Sequence, residues 1–427
     1  MGSTILRPVF FNGDKVMEAI GKGPTGAHEN APAAGDARRD RAPKRLVLLG
    51  ATGSIGRSCA QVILNEPADF LVSAVAGGRD GAALARSAIA LKASFAAIAD
   101  PAGYGALKEG LAGTGIEIAA GPDAIVSAAL REAELVVAAI AGTAGLAPTF
   151  AAIEAGRAVA LANKETLVCA GDAFMEMARR TRASVLPMDS EHNAIFQAMA
   201  GCDPARIVKM TITASGGPFR EWSAERIRAA SVAEALAHPN WAMGPKITID
   251  SASMMNKGLE LIEAHHLFSM PADRLDVVVH PQSVVHGLIA FADGSVTAGM
   301  AAPDMRTPIA HCLAYPRRMN SGTRPLDLAA VGELTFERPD FERFPALRLA
   351  IDALRAGQSA PTALNAANEI AVEAFLNGRI GFPAIAQMVA TVIEQCGRAG
   401  ELGASATVAQ ALAVHHIARD RARALLA

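Results

Sequence analysis

Cysteine is scarce in this sequence and never paired. Cys59, Cys169, Cys202, Cys312 and Cys396 are scattered, odd in number and free of any CxxC spacing, which argues against a disulfide framework or a thiolate zinc site. A reducing compartment fits, and the cytoplasm is expected. Excess charge of either sign is missing too. With 40 Lys and Arg against 42 Asp and Glu the formal charge is -2, so there is no basic field for nucleic acid and no acidic tail. Long apolar runs are also absent. The longest uncharged stretch, Leu135 to Ile153, is rich in Ala and Gly and broken by Gly142-Thr143-Ala144-Gly145 and Pro148, so it reads as strand, turn and helix start, and no membrane span is expected. The first 44 residues lack the apolar core of a secretory signal, and Asp14, Glu18, Glu29, Asp36 and Asp40 disfavour a transit peptide. From Gly21 to Lys44 large apolar side chains are almost missing, so residues 1–44 are expected to form a disordered tail.

What is present is a chain of 427 residues, half of them apolar, enough for two or three domains. Arg45 to Leu49 is apolar, Ile55 to Asn65 has helical spacing and Phe70 to Ala76 is apolar again, which makes a βαβ unit. Apolar segments at Ala96 to Ala99, Leu135 to Ala141 and Ala158 to Ala162 extend it into an α/β, doubly wound (Rossmann-like) parallel sheet ending near Leu186. After Asp189, strand-like segments at Ile207 to Thr213, Lys246 to Ile249, Val277 to His280, Val284 to Phe291 and Ser295 to Met300 predict a central α+β domain with a largely antiparallel sheet. Pro316, Pro325, Pro339 and Pro345 mark a linker, and Leu347 to Leu426 reads as a C-terminal bundle of three or four amphipathic helices. The expected divisions are 45–188, 189–315, a linker at 316–346, and 347–427.

Between the first apolar strand and its helix lies Gly50-Ala51-Thr52-Gly53-Ser54-Ile55-Gly56, a GxxGxxG form of the dinucleotide fingerprint. Its glycines let the backbone approach a pyrophosphate while the helix amino terminus offers free N–H groups. The second strand ends in Gly77-Gly78-Arg79-Asp80. Arg79 there can pair with a 2′-phosphate, favouring NADP over NAD, although it also reads as a solvated loop residue and Asp80 would oppose a phosphate unless turned away.

Asp189-Ser190-Glu191-His192-Asn193 and Asn256-Lys257-Gly258-Leu259-Glu260 are the two acidic clusters. Asp189 and Glu191, one residue apart, can share a hard cation, with a third oxygen from elsewhere; an all-oxygen set suits Mg²⁺ or Mn²⁺. On a helix beginning near Met255, Lys257 and Glu260 share a face, and Glu263 lies on nearly the same one, so spacing leaves the choice between the two acids open. These acids equally fit solvated charges. Segments around Ser215, His238-Pro239-Asn240-Trp241 and Ser251 could cradle an anion, His238 and Trp241 look like a covering loop, and Lys164 falls at the sheet's carboxyl edge. His192, His280 and His286 read as structural.

Taken together, GATGSIG (50–56), LANKETLV (161–168), PMDSEHNAIFQ (187–197), SGGPFRE (215–221), HPNWAMG (238–244), DSASMMNKGLE (250–260), HPQSVVHG (280–287), PDMRTPIAH (303–311) and TALNAANEIAVEAFL (362–376) closely resemble the 1-deoxy-D-xylulose 5-phosphate reductoisomerase family of the non-mevalonate isoprenoid pathway. The resemblance implies a homodimer that uses NADPH and Mg²⁺, Mn²⁺ or Co²⁺ to rearrange a sugar phosphate, by retro-aldol cleavage and re-addition, and to reduce the aldehyde to 2-C-methyl-D-erythritol 4-phosphate. It implies Asp189, Glu191 and Glu260 as metal ligands and Lys164, Glu191 and Lys257 as catalytic groups. Lys164, Ser190, Glu191, Ser215, His238, Ser251, Asn256, Lys257 and Glu260 would contact substrate, with Ser215, Ser251 and Asn256 nearest its phosphate. Thr52, Gly53, Ser54, Ile55, Gly78, Arg79, Asp80, Asn163, Glu165 and Gly244 would bind cofactor, and Trp241 and Met243 belong to a flexible lid. Two other readings compete: an NADP-dependent dehydrogenase with a thioester on Cys169, and a silent NADP sensor, against which the presence of all three acids argues.

Overall fold

The computed structural model describes residues 42–427 except 240, 242 and 405. The tail expected at 1–44 therefore lies outside the described residues up to 41, and Lys44, assigned to it, instead opens strand β1 (Lys44–Leu49). There its Nζ donates to the carbonyls of Leu313 at 3.0 Å and Tyr315 at 3.2 Å.

Seven parallel strands make the first sheet, in the order β4 (Glu117–Ala120), β3 (Phe95–Ile98), β2 (Phe70–Gly77), β1, β5 (Leu135–Ala138), β6 (Ala158–Leu161), β7 (Val185–Pro187). Helices cover both faces, so Leu46, Val47, Leu48 and Leu49 are all wholly buried, each worth about 2 kcal/mol of transfer free energy. β4 was not anticipated. It is an edge strand with no buried residue and so lacks the apolar run that marks an interior strand. The order of strands reverses at β1, between β2 and β5, which opens a crevice at the carboxyl ends. Helix α1 (Ser54–Asn65) starts in it, α2 (Gly81–Ala90) follows β2, and α3 (Lys164–Thr181) follows β6.

Helix α4 (Ser190–Ala198) leads into the second sheet, ordered β11 (Val296–Met300), β10 (Val285–Phe291), β8 (Ile207–Ala214), β9 (Leu275–Val279). β10 is antiparallel to both neighbours and only β8 and β9 run parallel, in keeping with the expected antiparallel character. One expected strand is wrong. Lys246 to Ile249 lies in helix α5 (Pro245–Ala252), because Pro245 occupies the first turn after Gly244, Lys246 pairs with Asp250 one turn on at 3.0 Å, and Thr248, Ile249 and Ala252 are buried. The β-branched Ile-Thr-Ile run imitates a strand, but tertiary burial overrides that local preference. Helix α6 (Met255–Phe268) begins after Met254, whose φ is 60°.

The prolines at 316–345 do accompany irregular backbone, yet the segment is pinned. Glu337 and Val279 exchange both backbone hydrogen bonds at 2.9 Å, and His280 Nδ1 meets the Thr335 carbonyl at 2.8 Å while its ring stacks on Phe336. The C-terminal bundle has four helices, α7 (Pro345–Ala356), α8 (Ala360–Leu376), α9 (Phe382–Arg398) and α10 (Val408–Ala424). Amphipathic faces were expected throughout. α8 departs from this: 14 of its 17 residues are buried, which makes it the bundle's centre rather than a surface helix.

Candidate active site

The glycine turn is built by close approach. Gly50 has φ +87° and a Cβ there would sit 2.3 Å from the Ala139 carbonyl oxygen; a Cβ on Gly56 would sit 2.1 Å from the Gly50 oxygen. Gly53, the N-cap of α1, has room, with its nearest atom at 3.4 Å. The first turn of α1 carries no acidic residue and no side-chain cap, and Gly53 and Ser54 are exposed beside partly exposed Thr52 and Ile55, so the helix amino terminus is open to an anion. Gly78 has open space around it, and the Arg79 side chain is 82% exposed, its Nε 3.4 Å from Asp100. Asp80 Oδ1 accepts from Ala83 N at 2.9 Å and caps α2.

Asn163 caps α3, its Oδ1 accepting from Thr166 N at 2.7 Å while its amide donates to the carbonyls of Ile140 and Gly142, tying β5's loop to α3. Glu165 is buried and faces Lys246 at 3.7 Å. Both side chains are committed to protein partners. Gly244 sits exposed at the N-cap of α5.

α3 delivers Lys164, α4 delivers Ser190 and Glu191 behind the N-cap Asp189, and α6 delivers Asn256, Lys257 and Glu260. They converge. One carboxylate oxygen from each of Asp189, Glu191 and Glu260 lies within 4.8 Å of the others. Lys164 Nζ is 2.5 Å from Asp189 and 3.0 Å from Glu260, and Lys257 Nζ is 2.5 Å from Glu191 and 2.7 Å from Glu260. Asn256 donates to Glu260, and Ser190 Oγ to Glu191 at 2.7 Å. Glu263 also belongs to this neighbourhood, 3.6 Å from Lys164, and Asp189, His192 and Glu263 form a second ligand-spaced group. His192 is buried with Nε2 2.8 Å from the Glu260 carbonyl, and among the described residues neither its Nδ1 nor Glu263 Oε2 has a hydrogen-bond partner.

Crowding of like charge sets the electrostatics. Burial, then the neighbouring Glu260 and Asp189, push Glu191 up to about 8 against the pull of Lys257; burial likewise pushes Glu263 up to about 7. Burial opposes charge on Asp189 as well, but Lys164, His192 and Lys257 outweigh it and hold the carboxyl well below its usual range. For the two lysines burial is overcome by the carboxylates, Asp189, Glu260 and Glu263 for Lys164 and Glu191, Glu260 and Asp189 for Lys257, so both ammonium groups stay firmly charged. Each ammonium group thus pairs with two of the three acids, and an all-oxygen donor set of this kind fits Mg²⁺ or Mn²⁺.

Beside the cage is a pocket of donors. His238 Nε2 lies 3.2 Å from Ser215 Oγ and 3.1 Å from Ser251 Oγ, while its Nδ1 accepts from Trp241 N at 3.0 Å, so the ring's proton sits on Nε2. Burial and then the Lys257 charge lower His238 to about 4. Gly216 and Gly217 have φ +85° and +66°, and Gly217 N donates to Ser215 Oγ at 3.2 Å. Trp241 and Met243 are half-buried beside this cluster.

The thioester alternative fails on geometry. Cys169 is buried under α8, and burial followed by Glu165 and Glu369 pushes its thiol far above the range of a nucleophile. Lys246 is the residue that sequence reasoning missed. Its signal, an i,i+4 pair with Asp250, exists only once the segment is read as a helix.

Three family models match: 1-deoxy-D-xylulose 5-phosphate reductoisomerase over residues 46–171, its C-terminal domain over 185–268, and the DXP reductoisomerase C-terminal domain over 300–421. Proteins named 1-deoxy-D-xylulose 5-phosphate reductoisomerase are 53% identical in Bradyrhizobium sp. (strain ORS 278) and 54% in Rhodopseudomonas palustris (strain BisA53), each over 383 residues, 90% of this chain and 94% of the relative. Among solved structures, the enzyme from Zymomonas mobilis in complex with NADPH is 45% identical with a TM-score of 0.85, covering 90% of this chain and 99% of that one. A DOX-P reductoisomerase in complex with NADPH, fosmidomycin and magnesium is 42% identical with a TM-score of 0.86, covering 90% and 98%.

Proposed function

Because the chain belongs to the 1-deoxy-D-xylulose 5-phosphate reductoisomerase family, we propose that the buried cage of Asp189, Glu191 and Glu260, laced with Lys164 and Lys257, is where it isomerises and reduces its substrate. The protein is an NADPH- and divalent-metal-dependent oxidoreductase that converts 1-deoxy-D-xylulose 5-phosphate to 2-C-methyl-D-erythritol 4-phosphate in isoprenoid biosynthesis. When bound, NADPH supplies the hydride and Mg²⁺ or Mn²⁺ a Lewis acid for the substrate's carbonyl and hydroxyl oxygens.

The chain's own residues do the rest. Asp189, Glu191 and Glu260 hold the cation, and Lys164 and Lys257, charged and buried, bind the substrate's oxygens and favour charge that develops on them. Ser190 orients Glu191, and Asn256 orients Glu260. Ser215, Ser251 and neutral His238 supply hydroxyl and N–H donors to the phosphate, so binding energy away from the reacting carbons fixes their position. Thr52, Gly53, Ser54 and Ile55 receive the NADPH pyrophosphate and exposed Arg79 its 2′-phosphate, Asp80 being occupied as a helix cap. Gly78, Asn163, Glu165 and Gly244 shape the crevice around the cofactor. Trp241 and Met243 close over the site and exclude water.

The convergence of three acids and two ammonium groups from α3, α4 and α6 carries this reading. Added 1-deoxy-D-xylulose 5-phosphate should trigger NADPH oxidation, followed by absorbance, only with Mg²⁺ or Mn²⁺ present. Undiminished oxidation in chelator would refute the metal's role, and none with metal would refute the activity.

The enzyme is further proposed to act as a cytoplasmic homodimer. Among the described residues all five cysteines are free and no helix is long and apolar enough to cross a membrane. Edge strand β11 exposes Val296 by 58% and Met300 by 38%, an apolar edge that a second copy would cover. Light scattering should give twice the chain mass; a monomer's mass would remove the proposal.

A further inference from the structure

The stretch Thr362 to Leu376 has no task in the chemistry above, yet as part of α8 its Thr362, Asn365 and Asn368 side chains are buried in the protein. Asn368 Nδ2 donates to Asp250 Oδ1 at 2.7 Å, Asp250 Oδ2 accepts from Lys246 Nζ at 3.0 Å, and Lys246 Nζ lies 3.7 Å from Glu165 Oε1. Asn368 is 0% exposed and the Asp250 side chain 1%, so that contact lies in the interior, while the Lys246 side chain reaches partly to solvent. The chain of contacts joins α8, α5 and the first turn of α3.

Two of the three helices it joins, α5 and α3, carry residues of the catalytic cluster. α5 begins at Pro245, directly after the covering segment 238–244, and carries Ser251 near its end; α3 begins with Lys164 itself. A second contact from α8 supports the same elements. Thr362 Oγ1 donates at 3.0 Å to the Cys169 carbonyl, beside the break in α3 where Ala170 leaves helical geometry with φ -141° and ψ 31°. α8 therefore braces α3 at its kink and reaches α5 through Asp250.

An ion pair with one partner partly exposed gives little net stability, but its directional hydrogen bonds restrict how α5 seats against α8 and α3. Burial disfavours the Lys246 ammonium, yet Asp250 and then Glu165 hold it firmly charged, so the pair persists at working pH.

We propose that Asn368, Asp250 and Lys246 are positioning residues of the reductoisomerase reaction, through which α8 holds the root of the lid and Lys164 in register. The inference rests on the functional reading above and adds a role for the C-terminal bundle. None of the three is a catalytic group.

The test uses full-length protein with Trp222→Phe, which leaves Trp241 as the chain's remaining tryptophan and a reporter of the lid. With Mg²⁺, NADPH and 1-deoxy-D-xylulose 5-phosphate, Asn368→Leu should lower kcat by as much as about 100-fold, the order expected for a small misplacement of reacting groups. It should also weaken the Trp241 fluorescence response to substrate, with the folded fraction by circular dichroism unchanged at the assay temperature. Lys246→Gln, whose parent side chain is 35% exposed and thus less needed for folding, should act in the same direction, and Lys246→Arg should restore turnover in part. Wild-type kcat, KM and Trp241 response in both variants would overturn the proposal, as would a fall in turnover no larger than the loss of folded protein seen by circular dichroism, the mark of a merely structural role. A parent inactive toward the substrate would sink the functional reading itself, whereas an active parent with unaffected variants sinks this proposal alone.

Discussion

Glu260→Gln should cut kcat by about a thousandfold or more while the affinity for NADPH stays at its wild-type value. The substitution keeps the shape of a side chain that is 1% exposed but removes the charge that touches both Lys164 and Lys257. A Lewis-acid metal contributes several kcal/mol to an oxyanionic transition state, and about 1.4 kcal/mol corresponds to each factor of ten, so loss of one ligand reaches this magnitude. The glycine turn lies on a different element, before α1, which is why cofactor affinity should not follow. Titration calorimetry with Mg²⁺ and stopped-flow NADPH oxidation check the two halves. Glu263→Gln is the informative partner, because Glu263 belongs to the second ligand-spaced group with Asp189 and His192. A larger loss there than at Glu260 would move the cation to that group.

Gly56→Ala should be severely damaging in the nucleotide crevice. Its Cβ would lie 2.1 Å from the Gly50 oxygen and 2.7 Å from Ala51 backbone atoms, none of which can yield without opening the turn. Overpacking against backbone costs about 3 kcal/mol or more, so both thermal stability and NADPH affinity should fall. Gly53→Ala meets nothing closer than 3.4 Å within the protein, yet its methyl would stand on the open helix amino terminus. It should therefore keep the melting temperature and lose affinity for NADPH by about tenfold, or 1.4 kcal/mol. Melting curves alongside cofactor fluorescence separate these effects. Equal melting temperatures for the two variants would show that the turn is not held by that close approach.

Much of this protein is legible in the order of its residues, for a local reason. Strands β1, β2, β5 and β6 are buried on both faces and so appear as apolar runs, and the glycine turn between β1 and α1 needs only neighbours in sequence to be recognised. The acidic pair Asp189 and Glu191 declares a preference for hard cations by its donor atoms alone. Where burial rather than local spacing decides, the reading loses its grip. β4 is too exposed to show an apolar run, Lys246 to Ile249 forms a helix that its β-branched residues disguise, and α8 is buried all round rather than on one stripe.

The sequence by itself determined the chemistry available: a dinucleotide turn, oxygen ligands, two candidate lysines and a set of small hydroxyls. The tertiary structure alone decided which of them meet, because Lys164 is 25 residues from Asp189 and Lys257 is 66 from Glu191 along the chain, and only packing brings each pair to 2.5 Å. It also decided that Asp80 caps a helix and that Cys169 is shut away beneath α8. Residue type is a property of position in the chain, whereas distance and burial are properties of the folded whole.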